Sequence, residues 1–250
     1  VTSLATRVVG SGEPIAFVHG FTQTGTSWLP LLEHMVTPVC ATLIDAPDHG
    51  NSHVSLSLTE TAEALSTLAA GQTLAGYSMG ARMALTAAVA HPHAFTRLIL
   101  VSGTAGLDTE DERCQRRDSD EALASHIEDI GVEAFIGEWL SNPMFAGLSK
   151  ENARINERLT NNAAGLASSL RLAGTGTQRP LWGSLGGLTM PVLIIAGEND
   201  AKFSAIAQRL HSLIPTSELH IHAHVGHTVH LEDAAGCASV IDNWLERTQR

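Results

Sequence analysis

The sequence predicts one α/β domain: a mostly parallel sheet flanked by helices, with a helical insertion capping one end. Three observations predict it. Short apolar runs that stop at Gly, Asp or Ser alternate with longer helical patterns, as βαβ units do. The stretch from Thr104 to Arg179 breaks that rhythm, with helical patterns and no convincing strand. Finally, 250 residues, 44% hydrophobic and only 16% charged, supply ample core for a single folded unit. The expected division is a core of residues 1–103 and 181–250, with a cap of approximately 104–180.

Thr2 to Val9 suggests a short antiparallel hairpin at one edge. Pro14 to Phe21 reads as a buried strand followed by an abrupt loop, and Val39 to Asp45 as the next strand. Leu74 to Tyr77 is a strand that leads straight into Met79 to Ala90, where Ala, Leu and Met recur at helical spacing. Arg97 to Ser102, Pro191 to Gly197 and Glu218 to Ala223 complete the strands. The insertion carries helical patterns over Glu110–Ile130, Val132–Leu140, Lys150–Asn161 and Gly165–Leu172. In open α/β sheets ligands bind beyond the carboxyl ends of the strands. A cap placed there would shape a substrate pocket.

The formal net charge of -11 repels phosphate backbones and argues against nucleic acid as a partner. An anionic substrate would need a local cluster of basic side chains. Cys40, Cys114 and Cys237 match neither a zinc site nor a redox pair, and read as idle thiols in a reducing cytoplasm. Val1 to Gly12 lacks the pattern of a signal peptide, and no apolar run approaches the ~20 residues of a membrane span. The expectation is a soluble, cytoplasmic protein without a membrane partner.

Gly76-Tyr77-Ser78-Met79-Gly80 places a G-x-S-x-G motif between a strand and a helix. The serine of such an elbow sits on a strained turn, where small flanking residues let neighbouring backbone pass. The following helix points its positive end at the site. A plain tight turn would use similar residues, but the order of the remaining parts favours catalysis. Asp200 follows the strand Pro191–Gly197, and His227 follows the last strand. That gives Ser, Asp, His in chain order, each at a strand's carboxyl end. His227 would hold the serine proton, and Asp200 would fix the imidazole tautomer. Glu198 competes for the acid role, and Asp200 could instead cap the helix beginning near Ala201. In His19-Gly20-Phe21, at the end of Pro14–Phe21, the Phe21 N–H would join the Met79 N–H as an oxyanion hole. His220, His222, His224, His227 and His230 crowd together, but no carboxylate or cysteine pattern completes a metal set. The first three alternate on one strand face and are expected to face solvent.

The set HGF, DAPDHGNS, GYSMG, GEND and GH resembles the α/β-hydrolase superfamily. Within it, three features resemble the 2-succinyl-6-hydroxy-2,4-cyclohexadiene-1-carboxylate synthases of menaquinone biosynthesis. These are Ser78-Met79-Gly80-Ala81-Arg82, Trp139-Leu140-Ser141-Asn142-Pro143-Met144-Phe145 and Gly197-Glu198-Asn199-Asp200-Ala201-Lys202-Phe203. The resemblance runs from Phe17 to Trp244, with Ala81 and Asp48 standing where the family commonly has glycine. It implies an α/β-hydrolase fold and a lyase that eliminates pyruvate from a cyclohexene, with the triad as base and no cofactor. It also implies three arginines on substrate carboxylates, matched here by Arg82, Arg116 and Arg158, with Arg113 or Arg117 as alternatives to Arg116. Tyr77 and Trp139 match further pocket residues.

The residues themselves agree in part. Positions i and i+4 share a helix face, so Arg82 stacks near Ser78. A guanidinium there is costly unless a carboxylate meets it, from substrate or from the protein. Arg116 and Arg158 taken alone would be ordinary surface charges. Two rivals remain: a serine hydrolase acting on an anionic small molecule, and a catalytically silent binding protein on the same fold. The first would have no use for the arginines if its substrate were neutral, and the second has no need of an intact triad.

Overall fold

The computed structural model describes Leu4–Thr248. Along the chain run β1 (Thr6–Gly10), β2 (Glu13–Val18), α1 (Leu29–Leu32), β3 (Val39–Ile44), α2 (Leu58–Leu68), β4 (Thr73–Tyr77), α3 (Met79–Ala90) and β5 (Arg97–Val101). The segment after β5 holds α4 (Glu110–Leu140), α5 (Ile155–Arg158) and α6 (Ala163–Ala173). Then come β6 (Val192–Gly197), α7 (Ala201–Leu213), β7 (Ser217–His222), α8 (Val229–Glu232) and α9 (Ala234–Thr248). The sheet order is β1-β3-β2-β4-β5-β6-β7, parallel throughout except for β1 on β3.

Past their first one or two residues the central strands β2, β4, β5 and β6 are apolar and buried, because both faces are covered. Side chains alternate across the sheet with period two. Ala16, Val18, Leu74, Leu98, Leu100 and Ile194 pack on one side with α2, α3 and α7. Ile15, Phe17, Tyr77, Ile99, Val101 and Ile195 pack on the other with α1, α8 and α9. A third cluster lies in the insertion, where Ala124, Ile127, Phe135 and Ile136 of α4 meet Leu166, Ala167 and Leu170 of α6. Phe21 touches this cluster from the core, joining cap to sheet.

Several expectations need adjustment. The first strand is antiparallel and at the edge, but it pairs with β3 rather than forming a hairpin with its neighbour β2. Thr2, where that element was expected to begin, lies outside the described residues. β2 ends at Val18, so His19-Gly20-Phe21 is already loop. The division expected between Glu110–Ile130 and Val132–Leu140 is present: two helical stretches of α4 meet at Gly131, whose φ of 79° departs from the helix. Of Lys150–Asn161 only Ile155–Arg158 is helical, because Arg154 adopts a left-handed φ of 52° and delays the start. β7 stops at His222, and His224 lies in the following loop at φ 65°. His222 is buried and bonded to Asp233 at 2.8 Å rather than facing solvent. No helix among the described residues is long and apolar enough to cross a membrane.

Candidate active site

Ser78 joins β4 to α3 with φ 51° and ψ -105°, a conformation that an L-residue holds only when its surroundings impose it. Two glycines make the turn possible. A Cβ at Gly76 would fall 2.3 Å from the Gly80 carbonyl oxygen, and one at Gly80 would fall 2.2 Å from that of Val18. The Ser78 N–H donates to Val101 O at 2.9 Å, anchoring the elbow to the neighbouring strand.

His227 Nε2 lies 3.0 Å from Ser78 Oγ, and His227 Nδ1 lies 2.7 Å from Asp200 Oδ2. The three residues come from the ends of three different strands. Asp200 Oδ1 also accepts the Phe203 N–H at 3.1 Å, so the acid both caps α7 and orients the histidine. Burial works against the Asp200 carboxylate, but the bonds from His227 and Phe203 outweigh it and hold its pKa below the ordinary value. Glu198 is spent elsewhere, accepting the His224 N–H at 2.9 Å.

The loop carrying His227 is fixed by two groups that the sequence reading missed. Glu232 accepts the Gly226 N–H at 2.7 Å and the Thr228 N–H at 2.9 Å, gripping the backbone on both sides of the histidine. Ser102 Oγ donates to the His227 carbonyl at 2.7 Å. Glu232 follows His227 by five residues, a spacing that gives no signal until α8 folds it back.

The oxyanion turn is set by a chain of hydrogen bonds. His19 Nε2 accepts the Ala46 N–H at 2.9 Å, which makes Nδ1 the donor, and Nδ1 reaches Gly20 O at 2.8 Å. Burial, aided by the neighbouring His49, pushes the His19 pKa down to about 3, so the ring stays neutral. The Gln23 N–H also donates to Gly20 O, at 3.1 Å, while Gln23 Oε1 accepts the Gly20 N–H at 3.0 Å. In a trans peptide C=O and N–H point oppositely, so pinning Gly20 O fixes where the Phe21 N–H points. Neither the Phe21 nor the Met79 N–H is bonded among the described residues.

A cavity of about 350 Å³ opens on Ser78, His227, Phe21 and Met79 and runs under the cap. Arg82, Arg116 and Arg158 line it, with Lys202, Tyr77 and Trp139. Arg82 is buried; its Nη2 donates to Ala173 O at 2.8 Å and its Nη1 to Gln178 Oε1 at 3.3 Å. Arg158 is 1% exposed and donates to Ala153 O and Thr22 Oγ1. Neither forms an ion pair with a carboxylate among the described residues. Burial, first of all, brings each guanidinium down to about 10. Arg116 differs, being half-exposed and ion-paired with Asp120 at 2.7 Å. Arg113 and Arg117, the alternatives to Arg116, turn away from the cavity to Glu110. Tyr77 bonds Thr228 Oγ1 at 3.2 Å, and burial raises its phenol pKa well above the ordinary value, keeping it protonated. Trp139 packs edge-on against Phe21 at 5.3 Å, and its Nε1 is buried with no partner among the described residues. Gln23 Nε2 is in the same condition at the cavity wall.

The pocket thus combines a serine hydroxyl bonded to a histidine, unbonded amides at its lining residues Phe21 and Met79, and buried guanidiniums with no carboxylate in ion-pair contact among the described residues. Such a set suits removal of a proton, or attack on a carbonyl, in a small molecule bearing several carboxylates. Among the described residues no three His, Cys, Asp or Glu side chains gather as a metal site.

Comparisons with known proteins bear on the fold and the family. A 2-succinyl-6-hydroxy-2,4-cyclohexadiene-1-carboxylate synthase of Photorhabdus laumondii is 30% identical over 92% of this chain and 84% of its own. A Bacillus subtilis protein assigned provisionally to that activity is 35% identical over 94% of this chain and 91% of its own. The solved structure of MenH from S. aureus superposes with a TM-score of 0.92 at 30% identity, covering 100% of both chains. A thermophilic esterase from Thermogutta terrifontis, at TM-score 0.84 and 22% identity over 99% of this chain and 94% of its own, shares the fold. The model of the alpha/beta hydrolase family matches residues 15–240, from β2 into α9. With strand order, nucleophile elbow and family match in accord, the chain belongs to the alpha/beta hydrolase family.

Proposed function

We propose that this enzyme eliminates pyruvate from 2-succinyl-5-enolpyruvyl-6-hydroxy-3-cyclohexene-1-carboxylate, giving 2-succinyl-6-hydroxy-2,4-cyclohexadiene-1-carboxylate in menaquinone biosynthesis. The observation that carries the reading is the pair of buried, carboxylate-free guanidiniums, Arg82 and Arg158, in the cavity that holds the triad. A neutral ester would bring neither guanidinium a carboxylate to pair with. A substrate with three carboxylates supplies the counter-ions, with Arg116 and Lys202 nearby to add to the field.

Ser78 Oγ, passing its own proton to His227 Nε2, removes the ring proton alpha to the succinyl carbonyl. Asp200 stabilises the resulting imidazolium. Charge that develops on the succinyl oxygen meets the Phe21 and Met79 amides. The electron pair of the broken C–H bond forms a ring double bond, the existing double bond shifts, and the ring C–O bond to the enolpyruvyl group breaks. The leaving enolate takes up a proton and becomes pyruvate. The residues need no cofactor for this sequence, and the partner is a small anionic molecule. The same reading places the enzyme in the cytoplasm.

The test is pyruvate release from the cyclohexene substrate, followed with a coupled dehydrogenase. Wild type should turn over, and Ser78→Ala should lose orders of magnitude while its fold stays intact. A wild type that releases no pyruvate, or a folded Ser78→Ala of undiminished rate, refutes the reading.

A further inference from the structure

The cavity contains one charge of the wrong sign for an anion site. Asp120 is 4% exposed, lines the cavity and sits on α4 one turn beyond Arg116. Its Oδ1 accepts from Arg116 Nε at 2.7 Å. Its Oδ2 is buried and takes no hydrogen bond among the described residues. A buried carboxylate oxygen without a donor is costly, and native structures rarely leave one so. Tethering Arg116 would explain Oδ1 and leaves Oδ2 unexplained. The neighbouring wall supplies no donor either. Gly174 lines the cavity beside it, and a Cβ there would fall 2.5 Å from Oδ2 and 2.3 Å from Leu170 O, so only bare backbone packs against this oxygen at that point.

The other unsatisfied polar groups of the lining are donors. Arg82 and Arg158 lack carboxylates, and Trp139 Nε1 and Gln23 Nε2 lack partners. The matching ligand therefore carries several acceptors and one donor, the donor placed at Asp120 Oδ2.

We propose that Asp120 is a specificity-determining residue whose Oδ2 accepts a hydrogen bond from a ring hydroxyl of the substrate. The inference rests on the reading given under Proposed function, where the substrate's 6-hydroxyl is its one donor once the carboxylates are ionised. Oδ1 stays on Arg116, so one carboxylate links the hydroxyl to a guanidinium that faces the substrate's carboxylates. A ligand lacking the hydroxyl leaves Oδ2 unpaired and brings its own negative charge close to it. A site built this way rejects the deoxy analogue more strongly than shape alone would.

The experiment uses two unreactive ligands, 2-succinylcyclohexane-1-carboxylate with and without a 6-hydroxyl, titrated calorimetrically into the full chain. Wild type should prefer the hydroxylated ligand by about tenfold or more, the worth of a hydrogen bond to a charged acceptor. In Asp120→Ala the ratio of the two affinities should fall to about one, whatever happens to both affinities through the loss of the Arg116 tether. Asp120→Asn keeps the side chain's shape and an acceptor for Arg116, and should lower the ratio as a neutral amide replaces the charged oxygen. Equal binding of the two ligands by wild type, failure of both to bind, or a wild-type ratio that survives in the variants overturns the proposal. Pyruvate release separates this outcome from that of the reaction itself. An enzyme that releases pyruvate but ignores the hydroxyl sinks the Asp120 role alone. One that prefers the hydroxylated ligand but releases no pyruvate sinks the reaction and keeps the role.

Discussion

Replacing Arg158 with Met should separate activity from stability. The guanidinium is 1% exposed, bonded to Ala153 O and Thr22 Oγ1, and without a carboxylate among the described residues. Burial brings its pKa from 12.5 to about 10, which corresponds to about 3 kcal/mol against the charged form in the native state. At pH 7 to 8 the group is charged in both folded and unfolded chains, so the native state carries that whole penalty. The penalty fades only as pH rises through 10 towards 12.5. Methionine fills similar space without charge and forfeits two hydrogen bonds from a charged donor, at about 1.5 kcal/mol each at the low end. The two effects nearly cancel, so the variant should stay within about 1 kcal/mol of wild type in stability, a change in Tm of no more than roughly 2–4 °C for a chain of this size. Its kcat/KM should fall by about 2–5 kcal/mol, or roughly 30-fold to several thousandfold, as a substrate carboxylate loses its partner. Scanning calorimetry and the pyruvate assay measure the two quantities on one preparation. A Tm lowered by several degrees with kcat/KM within a few-fold of wild type would show that Arg158 is structural, and would refute the reasoning.

Two further outcomes follow from the triad's supports. Asp200→Asn should lower kcat by about 10⁴-fold, because the amide no longer enforces the reactive imidazole tautomer, and pyruvate kinetics of the folded variant would reveal it. Since the Asp200 pKa is depressed in the folded chain, its contribution to stability is present above about pH 4 and is lost as pH falls through the lower folded value; acid unfolding followed by circular dichroism should show this dependence weakened in the same variant. Glu232→Gln should lose one of the two amide acceptors at Gly226 and Thr228 and lower kcat by about ten- to a hundredfold with KM nearly unchanged, whereas a rise in KM alone would contradict a positioning role.

What could be read from the sequence was what local chemistry dictates. The elbow at Ser78 needs glycine at positions 76 and 80 because backbone passes within 2.3 Å of both missing Cβ atoms, so the motif itself reported the geometry. The limits of α3 followed from an uninterrupted helical run. Choices that depend on where a side chain ends up were harder. Arg113, Arg116 and Arg117 stand within five residues, and the seating of α4 against α6 decides that only Arg116 meets the cavity. Asp200 and Glu198 are both acidic and two residues apart; the start of α7 turns one to His227 and leaves the other to His224. The β1–β3 pairing joins segments with an entire strand between them in sequence, so no local pattern announces it. Gln23, Asp120 and Glu232 look like ordinary polar residues until tertiary structure buries an unmatched atom or folds a carboxylate onto two amides.

In the proposed reaction Ser78 relays a proton and never carries an acyl group. The most direct measurement mixes enzyme with one equivalent of the cyclohexene substrate, quenches at intervals across a single turnover, and records released pyruvate and intact protein mass from the same samples. A proton relay requires pyruvate to rise to one equivalent while the protein mass stays unchanged at every time. A substrate-derived adduct on Ser78 that forms and decays at the turnover rate would contradict it and would make the enzyme a serine hydrolase.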